Sequence, residues 1–228
     1  MITRYEWQGG HEAVLRFGPP VGPTVLIAPA LFEEANRTRA FTVTLQRALA
    51  DLSLASMLPD LPGTNESVVD TEQATLANWQ AAFAAAAQSA ARHGHVHVAA
   101  IRGGALVDRL AKTRSRWYFA PVAGEALVRD LMRARKVAQI NHNAPEAEGD
   151  VYELAGNRLS ATMIAELRAA APSTAAPVRT LRLRDDAMPS HRSVDGAPLW
   201  RRAEPENDLA LAGLLAADLA SWVRQCEK

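Results

Sequence analysis

The run His97-Val98-Ala99-Ala100-Ile101-Arg102-Gly103-Gly104-Ala105-Leu106 has the composition of a strand that turns sharply into a helix, with Arg102 at the apex. Ala100 and Gly104 stand two positions to either side of it, and a tight reversal needs small residues there because larger side chains would collide. Such an apex holds its side chain clear of the strand end, where a hydroxyl or thiol would be free to attack a carbonyl. Arg102 cannot act in that way, because a guanidinium stays protonated and only donates hydrogen bonds. Its chemistry is recognition of negative charge, helped by the free amides of Gly103 and Gly104 if a helix starts at this point. A fixed cation at the positive end of a helix also demands a neutralising partner.

Other chemistry-bearing residues are sparser. His93, His95 and His97 precede the turn, and strand alternation puts His95 and His97 on one face. No third ligand follows at useful spacing, so no metal site is expected. Ser67 and Ser160 read as turn and cap residues rather than nucleophiles. The one cysteine, Cys226, cannot form a disulfide within the chain and lacks neighbours that would activate a thiol. Trp117 and Trp200 either stack on a ligand ring or pack as core and rim aromatics. No cofactor is implied.

These residues need elements to position them. Ile2 to Gln8 and Glu12 to Phe17 alternate apolar and polar residues around Gly9-Gly10, which predicts a hairpin. Thr24 to Ala28 is a nearly continuous apolar run, suited to a strand covered on both faces. A helix is expected over Arg37 to Leu52, then a strand over Leu54 to Leu58 and a loop at Pro59-Asp60-Leu61-Pro62-Gly63. Thr71 reads as the cap of a long helix to Arg92, and a further helix is expected from Gly103 to about Thr113. Arg116 to Pro121 predicts a strand, Glu125 to Ala138 a helix, and Ile140 to Gly149 a loop. A hairpin about Gly156-Asn157 follows, then a helix from Ser160 to Ala171, strands over Val178 to Arg184 and Ala197 to Arg202, and a closing helix over Asp208 to Gln225. The order is that of a parallel sheet with helices on both faces, led by an antiparallel pair, in one domain spanning 1–228.

The bulk numbers exclude several classes. The 228 residues carry 25 basic and 25 acidic side chains, so there is no net-basic footprint for nucleic acid. The longest apolar stretch, Trp79 to Ala87, is interrupted by Gln80 and is far short of a membrane span, so no membrane insertion is expected. No apolar leader follows Met1, and a cytoplasmic location is the expectation. A homodimer is left open.

Four segments together resemble the α/β-hydrolase superfamily and, more narrowly, the second hydrolase-like family associated with exosortase A systems. They are Pro29-Ala30-Leu31-Phe32-Glu33-Glu34-Ala35-Asn36-Arg37, Pro59 to Gly63, Ile101-Arg102-Gly103-Gly104-Ala105, and Trp117 with Pro121-Val122, Gly124 and Ala155 to Ser160. The resemblance implies an α/β fold with a mainly parallel sheet, an N-terminal antiparallel hairpin, helices on both faces and little or no cap. It also implies a nominal ester or thioester hydrolase. In that fold the loop holding Glu33 and Glu34 lies near the apex, so either glutamate could pair with Arg102. The alternative is that a small anionic ligand takes the guanidinium, with Ala30, Leu31, Glu33, Glu34, Asn36, Arg37, Gly103 and Trp117 around it. The two are compatible, since a ligand can exchange with the carboxylate.

A serine hydrolase of this fold needs a nucleophile, an acid after a late strand and a histidine base after the last one. Arg102 occupies the first position. Asp185 or Asp186 could supply the acid, and His191 is the only nearby histidine, five residues after Asp186 and without the usual intervening strand and helix. Asp186 and His191 are therefore weak catalytic candidates, and the expectation is a hydrolase-like protein without serine hydrolase activity or a non-catalytic binding protein using Arg102.

Overall fold

The computed structural model describes residues 1–140 and 150–228. Strands β1 (Ile2–Trp7) and β2 (Gly10–Phe17) form the expected antiparallel hairpin, closed by Trp7 opposite Gly10. Gly10 has φ 137°, a conformation that favours glycine. Strands β3 (Thr24–Ala28), β4 (Ala55–Pro59), β5 (Val96–Ile101) and β6 (Ser115–Phe119) follow, each fully or mostly buried. A separate hairpin, β7 (Val151–Leu154) and β8 (Asn157–Ser160), precedes the last two strands, β9 (Val178–Leu183) and β10 (Arg192–Val194). The main sheet has eight strands in the order β1-β2-β4-β3-β5-β6-β9-β10, and from β4 to β10 every neighbouring pair is parallel.

Among the described residues five helices cover it: α1 (Glu33–Asp51), α2 (Leu76–Ala90), α3 (Gly124–Ile140), α4 (Ala161–Ala169) and α5 (Leu209–Glu227). Strand alternation divides the core in two. On β5, Val98 and Ala100 face the cluster under α2, α3 and α4, while Ala99 and Ile101 face the cluster under α1 and α5. On α1 the residues Phe41, Leu45 and Leu49 form one buried stripe, each contributing about 1.5–3 kcal/mol by leaving water. Among the described residues no helix is long and apolar enough to cross a membrane.

Several expectations are corrected. The helix after the apex is only a five-residue 3-10 turn, Arg102–Leu106. Arg116 explains the early stop: its guanidinium takes the carbonyls of Asp108 and Ala111, which a continuing helix would have used, and its Nε donates to the Asp108 carboxylate at 2.8 Å. α2 begins at Leu76 rather than Thr71, because Ala74 is extended and Thr75, not Thr71, accepts the capping bond from Asn78 N. Thr71 gives its hydroxyl to Gly63 O instead. The last strand is Arg192–Val194, not Ala197 to Arg202: Val194 enters the core beside Leu183, whereas Leu199–Arg201 coils into a 3-10 turn after Pro198. Apart from Ile140, which ends α3, the loop expected over Ile140 to Gly149 lies outside the described residues. Ser160 does cap α4, accepting from Met163 N.

Asp218 on α5 fastens that helix to three strands. Its buried carboxylate accepts Trp117 Nε1 at 2.9 Å, Arg179 Nε at 2.7 Å and Arg192 at 2.7 Å. Burial alone would raise its pKa, but the bonds from Arg179, Trp117 and Arg192 outweigh that and hold it at about 2 against an ordinary 3.8. A depressed folded-state pKa gives stability that is present above pH 3.8 and lost as pH falls toward 2, about 2 kcal/mol in all. Urea titrations across that range should therefore show a fall in stability that Asp218→Asn largely removes; a parent and variant with the same acid slope would contradict the assignment.

Candidate functional site

The parallel strands end in register, with Ala28 opposite Ala100 and Ile101 opposite Phe119, so the residues that follow them meet at one edge. Three of those residues are non-glycine and left-handed: Phe32 at φ 58°, Arg102 at φ 54° and Ala120 at φ 47°. Each such residue costs on the order of 1–3 kcal/mol and persists only where the surroundings impose it. The apex read from the sequence is thus present. Gly104 is needed there, since a Cβ on it would sit 2.4 Å from the carbonyl oxygens of Ala28 and Pro29. Gly104→Ala should lower stability by about 1–3 kcal/mol in chemical denaturation, as backbone rather than a flexible side chain must move. No loss would mean that the turn is looser than described.

The Arg102 side chain is mostly buried, and its donors are occupied from inside the chain. Nε and NH2 reach the Glu34 carboxylate at 3.0–3.3 Å, NH1 donates to Ala120 O at 3.3 Å, and the guanidinium lies 4.7 Å from the centre of the Trp200 ring. Two parallel bonds to one carboxylate make this a charge-assisted fork, and the ring adds a cation–π face. Of the two candidate glutamates it is Glu34 that pairs. Both lie in the first turn of α1, which starts four residues earlier than expected, and not in a loop. Glu33 sits one helical turn before Arg37 and bonds to it, while Arg37 also donates to Trp200 O at 3.0 Å.

The other expected residues divide into three groups. Ala30 and Leu31 are buried against opposite cores, and Gly103 is packed between Leu31 and Leu127. Trp117 is corrected: it is wholly buried and its Nε1 is spent on Asp218, so it presents no face to a ligand. Asp186 does stand beyond the end of β9, close enough to Arg102 to feel its charge. Burial would raise its pKa, but the Arg182 bond at 2.7 Å and the amide of Met188 at 3.0 Å hold it below the usual range. His191 lies at the other end of β10, where its ring Nδ1 accepts from Thr180 N and its own amide donates to Thr180 O. The structure does not bring Asp186 and His191 together.

The histidine pair is also placed. His95 and His97 share a face, as alternation required, and both bond to Glu227 near the end of α5. His97 is buried, and burial lowers its pKa against the opposing pull of Glu227; its Nδ1 lies 2.8 Å from the Ser115 hydroxyl. Among the described residues no group of three His, Cys, Asp or Glu is placed to hold a metal ion. Ser67 is a turn residue that accepts from Gly63 N and donates to Glu12.

Beside the apex, on the β4 side, lie two adjoining cavities of about 420 and 230 Å3. The smaller is walled by Ala30, Leu31 and Asn36 of the expected set, under Trp79 and Asn157. Arg102 borders neither. In the wall of the larger one Asp60 accepts the Asn65 amide at 2.7 Å, and Arg39 donates to Asn65 Oδ1. Burial raises the Asp60 pKa, opposed by the Asn65 bond. This group was not legible as a site, since its members are joined only by the return of the 60–66 loop onto α1.

No protein-family model and no curated protein sequence matches the chain. Solved structures do. Est1E from Butyrivibrio proteoclasticus aligns with a TM-score of 0.64 at 12% identity, over 99% of this chain and 98% of that one. The mouse alpha/beta hydrolase domain-containing protein 10 aligns with a TM-score of 0.63 at 14% identity, over 99% of both chains. A thermophilic esterase from Thermogutta terrifontis aligns with a TM-score of 0.59 at 14% identity, over the whole of both. At such identities the likeness concerns the fold, which is that of the α/β-hydrolases.

Proposed function

We propose that the chain is a hydrolase-like protein that does not use the serine mechanism of its fold and instead recognises a small anion at Arg102. The observation that supports this most is the Arg102–Glu34 fork at the left-handed apex, where an attacking group would stand. A carboxylate or phosphate monoester that displaces Glu34 inherits the same two donors and the same position above Trp200. The released Glu34, partly exposed on the first turn of α1, moves into solvent. The support from a helix N-terminus falls away, because a five-residue 3-10 turn has almost no dipole to offer. Recognition then rests on the guanidinium and the ring. The resemblance of four segments to the exosortase-associated hydrolase-like family supports an accessory role in that setting, in the cytoplasm, as part of the same proposal.

The second reading, an ester hydrolase, draws on the fold neighbour from Thermogutta terrifontis, which is named as a thermophilic esterase. It requires a nucleophile and a base that Arg102, Asp186 and His191 do not make. A fluorophosphonate probe separates the two. No covalent adduct is expected by intact mass, and benzoate or phosphate at ten times its Kd should raise the melting temperature by about 3–6 °C, a shift that Arg102→Ala abolishes. A probe adduct on a serine, or an anion shift that survives Arg102→Ala, would overturn the proposal. Arg102→Ser should not turn over p-nitrophenyl acetate above background, since no base is placed to take its proton.

A further inference from the structure

The two cavities beside the apex share Pro29, Ala35, Asn36, Pro59 and Asn65 in their walls, so they are lobes of one cleft along the ends of β3 and β4. Their volumes, about 420 and 230 Å3, together fall in the range of small-molecule sites. The larger lobe is floored by apolar side chains, among them Leu15, Leu58 and Val43. Its charged groups cancel, with Arg4 and Arg39 set against Asp60 and Glu66. The smaller lobe has no charged side chain in its wall; its polar groups are the amides of Asn36, Asn65 and Asn157 and the hydroxyls of Thr64 and Thr71.

That difference selects a ligand class. An ammonium or carboxylate entering the smaller lobe would be desolvated with no counter-charge, whereas an amide or hydroxyl finds donors and acceptors. The Asn36 amide has no hydrogen-bond partner among the described residues and stands where the lobes join. Asn157 spends its Nδ2 on the carbonyls of Leu154 and Ala155, which leaves Oδ1 as an acceptor. We propose that the cleft binds an uncharged molecule with an amide or hydroxyl head and a small apolar body, the head in the smaller lobe against Asn36 and the body over Leu15 and Leu58. This site is separate from the anion position at Arg102, which borders neither lobe.

Three probes with one ring and different heads test it: benzamide, benzoate and benzylamine, titrated by protein-observed NMR. Benzamide should bind at least about tenfold more tightly than either charged probe. Ala35→Trp, which fills the junction of the lobes, should abolish benzamide binding. Asn36→Ala, on an exposed helix position, should weaken it severalfold with an unchanged melting temperature. Equal or tighter binding of a charged probe in the cleft, no benzamide binding in the millimolar range, or benzamide affinity untouched by both variants would each overturn the proposal. A benzoate response that disappears with Arg102→Ala but persists in Ala35→Trp belongs to the apex, so the two readings fail separately.

Discussion

Replacing Asp108 by alanine should lower stability by about 3–5 kcal/mol, the usual result of removing one partner from a buried ion pair. Asp108 is wholly buried and accepts Arg116 Nε at 2.8 Å and the Tyr118 hydroxyl at 2.7 Å. Burial pushes its pKa up, against the Tyr118 bond and the Arg116 charge. Arg116 also donates to Ala175 O, and Tyr118 to Ser173 O, so one network joins the segment after the apex to the chain entering β9. Without the carboxylate, the guanidinium stays buried and unneutralised. The melting temperature should drop by about 6–20 °C for a chain of this size. A drop of less than about 2 °C would show that the three carbonyls alone suffice for Arg116.

Glu34→Ala should have a smaller but still large effect and a diagnostic remedy. It leaves the Arg102 guanidinium with one carbonyl and an aromatic face, at an expected cost of about 2 kcal/mol, discounted from the fully buried case because both side chains keep some contact with water. Formate or acetate should then restore part of the lost stability, because either can occupy the space the carboxylate left and accept the same two donors. Chloride at equal ionic strength should not. If chloride rescues as well as formate, the effect is screening and the site has no shape preference for a carboxylate.

The apex was legible in the sequence because its requirement is local: Ala100, Arg102 and Gly104 carry the steric demand of the turn within five residues. The leading hairpin and the buried runs of β3 and β5 were legible for the same reason. What escaped depends on partners far along the chain. A helix from Gly103 to Thr113 satisfies local propensity, but Arg116 claims its carbonyls. The β10 strand is three residues long, and only its pairing with Leu181 to Leu183 distinguishes it from the polar loop around it. Trp117 and Trp200 were equivalent as sequence. Asp218 takes one into the core, and the 3-10 turn after Pro198 sets the other beneath Arg102. Choosing Glu34 over Glu33 required the start of α1, because that phase gives Glu33 to Arg37.

The most direct measurement is a double-mutant cycle on Arg102 and Glu34, with Arg102→Ala, Glu34→Ala and the pair compared by chemical denaturation. A coupling of about 1–3 kcal/mol is predicted, with the double variant less destabilised than the sum of the singles. A coupling indistinguishable from zero would mean that the guanidinium and carboxylate do not meet in solution, and that the apex is not closed by this pair.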